Sequence, residues 1–295
     1  MVESAPLWAV FVLPLALALV ASAAATVDVR STGAGREVLR LLVKQRRIMR
    51  AADVPLVRLG TTLLPVAAIL AAVVLPFGFR SVSDLPDGIV WFNAMEALAW
   101  AAVWLTGWGP NSTLSLVGGY RFLAQGLAYE LPHMLAITTA ALGAESLRVG
   151  AVVDAQAGLW FAVWMPAAFG IYLLSALAMA FWGPFDQPVG ADAAGGAAVE
   201  LSGVDRLLFL GGRWLLLVVA AAFAVPLFLG GGHGPLLPGW AWTALKTGAV
   251  LGLLLWLRRR MPTVRMERYV ELAWVILTPL AVAQALVVAV VVLGR

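Results

Sequence analysis

Apolar residues run along the chain in long blocks rather than in the alternation of a half-buried strand or the one-sided stripe of a soluble helix. Eight stretches reach the length of about 20 mostly apolar residues that a membrane-crossing helix needs. They fall near residues 5–27, 59–79, 88–108, 122–144, 157–182, 207–229, 240–257 and 272–293. Short polar or glycine-rich connectors separate them, and no repeat of 20–50 residues is evident. The pattern predicts an all-α, polytopic membrane protein of about eight spans. It forms one domain over residues 1–295, with an amphipathic segment on one face at about 30–58.

Composition agrees. Of 295 residues, 62% are hydrophobic and 12% charged. Soluble domains carry about half apolar and a quarter charged residues, so a soluble enzyme is excluded. Cysteine is absent, which excludes thiolate-held iron–sulfur clusters and Cys-ligated zinc in this chain. The first apolar run is preceded by Met1-Val2-Glu3-Ser4, acidic rather than basic, and further spans follow. It therefore reads as a retained helix and not a cleaved signal.

The basic residues set the orientation, because cytoplasmic loops hold the excess of Lys and Arg. Segments 28–58, 109–121, 183–206 and 258–271 carry 15 of the 20 bases, the opposite loops three, and Arg213 and Lys246 lie inside spans. The first set is assigned to the cytoplasm of a cell whose inner (plasma) membrane holds the chain, with both termini outside. The bases thus form a membrane pattern, and nucleic acid is not an expected partner. Within 36–50, Arg36, Arg40, Lys44 and Arg47 form a helical stripe, with Leu39, Leu42, Val43 and Met49 largely off it. This predicts a helix in the headgroup plane, serving as an orientation anchor or shaping a lateral entrance for a lipid-soluble ligand.

Ionisable residues within spans are the strongest pointers to function, because burying charge in lipid costs several kcal/mol. Glu96, Glu130, Arg213 and Lys246 stand out. Pro132 follows Glu130 and loosens the helix there, and His133 brings an imidazole that can relay protons or serve structure.

Three polar segments complete the picture. One runs from Gly107-Trp108 through Asn111-Ser112, Ser115-Leu116-Val117-Gly118-Gly119-Tyr120-Arg121 and Ala124-Gln125 to Tyr129-Glu130-Leu131-Pro132. The second is Pro184-Phe185-Asp186-Gln187-Pro188, closed by Glu200 and Ser202-Gly203. The third runs from Trp256 through Arg258, Pro262 and Arg265 to Glu267. In order and spacing, together with Lys246 in the seventh span, these resemble the H-subunit (subunit 1) family of respiratory complex I. That family includes the homologous membrane subunit of energy-converting hydrogenases and formate hydrogenlyases.

The resemblance implies a subunit without its own redox centre or bound cofactor, in a complex that is an enzyme only as a whole. It implies a docking plate for hydrophilic redox-arm subunits: a quinone-site or hydrogenase-like large subunit and an iron–sulfur subunit. Antiporter-like membrane subunits and lipid are further implied neighbours. It implies a contribution to a quinone chamber and coupling of electron transfer to proton translocation. Glu130, Lys246, Asp186 and Glu200 would carry the proton coupling. Arg121, Asp192, Arg213, Arg258, Arg265 and Glu267 would line the chamber or the docking face.

The chain also departs from the family. After Pro188 the usual acidic run is replaced by Val189-Gly190-Ala191-Asp192-Ala193-Ala194-Gly195-Gly196, expected to be flexible. Arg213 stands where the quinone-reducing members have an acid, with Asp186, Asp192, Glu200 or an anionic lipid as its expected partners. Ser31-Thr32-Gly33-Ala34-Gly35 replaces an Arg- and Pro-rich stretch, and Glu96 has no family counterpart. Besides a quinone oxidoreductase subunit, two readings therefore stand: the anchor of a hydrogenase-type complex, and an ion-transport or structural module without redox coupling.

Overall fold

The computed structural model describes residues 3–6, 8–29 and 33–294. Met1, Val2, Arg30, Ser31, Thr32 and Arg295, which enter the charge and first-loop readings, lie outside the described residues. The chain is helical almost throughout. α1 (Ala9–Val29) and α2 (Gly33–Val43) lead into α3 (Val54–Ala72), α4 (Gly88–Trp108) and α5 (Thr113–Gly143). Short helices α6 (Val149–Ala155) and α7 (Phe161–Trp164) precede α8 (Pro166–Met179). α9 (Gly203–Phe228), α10 (Gly239–Arg260), α11 (Met266–Leu272) and α12 (Thr278–Leu293) complete the bundle. Strands of two residues each, β1 (Glu3–Ser4), β2 (Pro76–Phe77) and β3 (Arg80–Ser81), form a sheet in the order β1-β3-β2. β1 runs parallel to β3, and β2 antiparallel to it.

Six helical segments are long and apolar enough to cross a membrane: α1, α3, α4, α9, α10 and the α11–α12 unit. The protein is an integral membrane protein. The fourth expected span is the second part of a longer helix, since α5 begins at Thr113 and runs for 31 residues. The fifth is interrupted. Met165 leaves the helical region (φ −120°, ψ 50°) ahead of Pro166, as a residue before proline tends to do. α8 then has 14 residues, about 21 Å at 1.5 Å per residue, short of the ~30 Å hydrocarbon layer.

Local chemistry sets the other boundaries. The Asp53 carboxylate caps α3 by accepting from the Leu56 N–H at 3.4 Å, with proline in the first turn. Pro279 lacks the N–H that would reach the Val275 carbonyl. The helix widens into a π-turn at Ala273–Leu277, where the Thr278 hydroxyl donates to the Ala273 carbonyl.

The amphipathic helix ends at Val43, so only Arg36 and Arg40 of the expected stripe belong to it. Residues 44–47 are instead strapped to the start of α9. The Arg47 N–H donates to Ser202 Oγ at 2.5 Å, and that hydroxyl donates to the Gln45 carbonyl. Gly203, at φ +59°, turns so close beneath the Lys44 carbonyl that a Cβ would lie 2.5 Å from it.

α9 is the hub: 67% of its apolar window is buried, against 17% in α1 and in the last span, which present their apolar flanks outward. α3 packs on α4 and α9, α4 on α5, α5 on α8 and α12, and α9 on α10. Alanines 67, 68, 71 and 72 bring α3 close to its neighbours, and Phe92 stacks on Phe223 at 3.7 Å.

Candidate functional site

The polar side chains collect at two levels. The first is the end of the bundle where the bases cluster, here called the basic end. α5 rises from this end beneath a loop, residues 183–202, that folds back as three 3-10 turns. Ala193, Gly196, Ala197 and Ala198 are buried, so the expected flexible stretch is a packed one. Its small residues permit this: the loop backbone lies directly on Gly118.

Motif residues then lock the loop. Arg121 grips Asp192 with two bonds of 3.0 and 2.6 Å and donates to the Gln187 carbonyl. The guanidinium beside Asp192 holds that carboxyl below the usual carboxylate range. Gln125 donates to the carbonyls of Ala178 (2.7 Å) and Phe185 (2.9 Å), and Ser112 to Glu200 at 2.7 Å. The Val264 N–H donates to the Pro184 carbonyl at 2.9 Å, tying in the last loop.

Arg213 takes none of its expected partners. It donates to the carbonyls of Ala180 and Phe181, just past the end of α8, and stacks on Trp182 at 4.0 Å. A guanidinium there satisfies carbonyls that the helix leaves without donors. Arg258 also lies on Trp182, at 4.3 Å, and pairs with Asp28. Arg259 donates to the Val27 and Asp28 carbonyls, so α1 and α10 are clasped at this end. Asp186 is half-buried and acts electrostatically on Arg213. Arg265 and Glu267, at the start of α11, are exposed.

An open cleft of about 390 Å³ lies at this end, lined by Arg47, Ile48, Met49, Arg58, Glu200 and Asp205 among others. Apolar and charged side chains meet there, beside the end of the strap and the start of α9.

The second level is buried between α4 and α5. Asn93 and Glu96 lie one turn apart on α4, and Glu130 and His133 one turn apart on α5. Glu96 and His133 are almost wholly buried, with Oε1 and Nε2 separated by 3.0 Å. The contact is short but off hydrogen-bond alignment, leaving both carboxylate oxygens and both ring nitrogens without an aligned partner. Around them Trp100 donates to the Tyr129 hydroxyl at 2.7 Å, and Tyr172 donates to the Ala220 carbonyl at 2.7 Å. The His133 ring stacks on Tyr172 at 5.2 Å. Glu130 is half-buried beside Asn93.

Lys246 stands apart from these carboxylates. Its ammonium donates to the carbonyls of Leu229 (2.6 Å), Gly231 (3.0 Å) and His233 (2.7 Å), with the Trp160 ring at 4.4 Å. All three N–H groups close the end of α9, at the side of the bundle opposite the loop. Burial holds the neighbouring His233 imidazole below its usual range.

The structure thus brings Arg121, Asp192 and Glu200 into one locked loop, sets Arg213, Arg258 and Asp186 around Trp182, and pairs Glu96 with His133. Sequence reasoning missed Asn93, Trp100, Tyr129, Tyr172 and Asp28. One signal was present. Asn93, Trp100 and Gly107 are spaced by seven on α4, and Gly119, Gly126 and His133 by seven on α5, so each set shares a face.

Comparison with known proteins follows the same residues. The family model described as NADH dehydrogenase matches residues 34–289. The first of two H subunits of NADH-quinone oxidoreductase from Geobacter metallireducens is 36% identical over 262 residues, covering 85% of this chain and 80% of that protein. The H subunit of the Geobacillus kaustophilus enzyme is 36% identical over 86% of this chain and 78% of its own length. The second H subunit of Cereibacter sphaeroides is 36% identical over 88% and 82%. These relatives are subunits of an oxidoreductase complex, so further subunits are implied for this chain. By the family model and by these relatives, the chain belongs to the NADH dehydrogenase family of membrane subunits that includes the H subunits of NADH-quinone oxidoreductase.

Proposed function

We propose that this chain is the membrane subunit on which the redox arm of a complex-I-like quinone oxidoreductase docks, and that it couples electron transfer to proton translocation through Glu130. The observation that carries the reading is convergence. Residues from motifs as distant as Ser112, Arg121, Gln125, Asp192, Glu200 and Val264 are bonded into one ordered end, directly above the Glu130 level of α5. A rigid charged face suits attachment of a soluble partner, and an acid beneath it on the same helix suits proton exchange.

In this reading the basic end faces the cytoplasm of the inner membrane, where 15 of 20 bases lie. The cleft beside Ile48 and Met49 opens the quinone chamber, its apolar wall accepting an isoprenoid tail and its charged rim a polar head. The chain itself performs no redox step: its residues position, exclude water and hold protons. Arg213, satisfied by carbonyls, holds the end of α8 against α9. Lys246, satisfied by three carbonyls, fits an anchor of the far end better than a mobile proton carrier.

The test is Glu130→Gln in membranes from a strain that relies on this complex, with electron transfer and proton translocation measured together. The expected result is loss of translocation with the complex assembled. Unchanged translocation overturns the coupling assignment. Co-purification of a nickel-ligating large subunit in place of a quinone-site subunit overturns the quinone assignment.

A further inference from the structure

The α4–α5 interface holds more ionisable chemistry than a single coupling acid requires. Glu96 and His133 are 1% and 0% exposed, 3.0 Å apart, and on neighbouring helices. Buried polar groups are almost always satisfied. Here Glu96 Oε1 and Oε2, Glu130 Oε2, His133 Nδ1 and Nε2, and Asn93 Oδ1 all lack an aligned protein partner. They gather on one face because Asn93 and Glu96, like Glu130 and His133, are three residues apart. Glu96 and His133 both lie close enough to act electrostatically on Glu130. Stability does not account for the pair: a buried ion pair seldom beats an apolar pair of the same volume, because desolvation offsets the attraction.

We infer that Glu96 and His133 form a proton-holding pair that exchanges with Glu130 through water enclosed between α4 and α5. The inference rests on the reading of Glu130 as the coupling acid. Six polar atoms with free hydrogen-bonding capacity supply the two to four partners that each enclosed water needs. The proton balance is simple. In the loaded pair, the shared proton sits either on the Glu96 carboxyl, with His133 neutral, or on Nε2, with Glu96 anionic and His133 an imidazolium. Moving it between them leaves the charge of the pair unchanged. In the unloaded pair, Glu96 is anionic and His133 is neutral with its hydrogen on Nε2. Glu130 reloads it: the O–H bond there breaks and an N–H bond forms at Nδ1. Glu130 and Glu96 are then both anionic around one imidazolium, and the net charge of the three groups is the same before and after.

The surroundings limit the titration to these three groups. Tyr129 and Tyr172 face the pair from α5 and α8, their hydroxyls held by Trp100 and by the Ala220 carbonyl. Tyr269 of α11 is buried near Tyr129. The charged residues of the packed helices, Arg58 of α3, Arg121 of α5, and Asp205, Arg206 and Arg213 of α9, lie toward the basic end. α12 contributes no ionisable side chain.

The chain has two histidines, so the full-length protein in lipid nanodiscs with 15N-labelled imidazoles gives two ring signals, and His233→Gln assigns the one from His133. In Glu96→Gln the proton affinity of His133 is expected to fall at least tenfold. A change under threefold overturns the pair. In the assembled complex, Glu96→Gln and His133→Gln are each expected to slow proton translocation about tenfold while electron transfer continues. The double variant should be no slower than either single one, since both remove one unit. Normal translocation in both single variants, or additive losses in the double, overturns the exchange. If Glu130→Gln leaves translocation intact, the coupling reading falls separately, and the His133 titration still decides the pair.

Discussion

Gly118→Ala puts the locked end to a quantitative test. A Cβ at Gly118 would lie 2.1 Å from the Ala197 nitrogen and 2.6 Å from the Gly196 carbon and the Pro188 oxygen, all of them backbone atoms. Ordinary contact begins near 3.4 Å, so the loop must retreat by roughly 1.3 Å, too far for a side-chain rotation to absorb. Such overpacking costs about 1–3 kcal/mol. The retreat also breaks the Gln125 bond to Phe185, worth about 1 kcal/mol. It breaks the exposed Arg121–Asp192 grip as well, worth about 0–1 kcal/mol. Against this, Ala gains about 1 kcal/mol over Gly in a helix. The net is about 2 kcal/mol, or roughly 30-fold more of the displaced loop at equilibrium.

Limited proteolysis of residues 187–198 in the full chain in nanodiscs reads that population directly, because cleavage follows the open fraction when opening is fast. Gly211→Ala is the control: nothing lies within 4 Å of its added Cβ, so its loop should be cleaved at the wild-type rate. Equal cleavage in Gly118→Ala and Gly211→Ala refutes the packing argument.

Three further outcomes are expected. The Asp192 carboxyl is held below its usual range by Arg121, so the pair stabilises the loop above the free-Asp value of 3.8 and the contribution is lost as pH falls through the lower folded value. Loop cleavage should therefore rise on acidification in the wild type and be raised but flat in Asp192→Asn, and matching profiles would count against the pair. Lys246→Met leaves three carbonyls at the end of α9 without their donor, at about 1–3 kcal/mol for a group left buried and unpaired. The thermal midpoint of the full chain should fall, and an unchanged midpoint would show the tripod to be dispensable. A photoreactive quinone should label Ile48, Met49 or their neighbours around the cleft, and labelling confined to the lipid face of α12 would remove the cleft from the quinone path.

The apolar blocks made the helices legible, since length and hydropathy determine where backbone can lie in lipid. Positions that needed tertiary knowledge were not legible. The stripe through Lys44 and Arg47 has helical spacing, yet the bonds to Ser202 and Gln45 hold that segment straight. Lys246 and Arg213 read as intramembrane charges beside acids, whereas both end on helix carbonyls that no sequence pattern announces. Glu96 and His133 were each conspicuous, but their meeting depends on hairpin register. Gly107 against Gly119 and Trp100 against Gly126 set that register, and Glu96 against His133 continues it.

The clasp between α1 and α10 also has a consequence for biogenesis. Arg258 and Asp28 are 230 residues apart, so at ~5–20 residues per second the ribosome needs roughly 10–45 s to supply the partner of Asp28. The other end of α1 is tied far sooner, when β3 emerges and Ser81 accepts the Ala5 N–H. For most of synthesis the first helix is therefore tethered at one end only, free to pivot in the bilayer. It is fixed when the seventh span arrives, which makes the membrane-insertion order of α10 a late checkpoint on the placement of the first segment made.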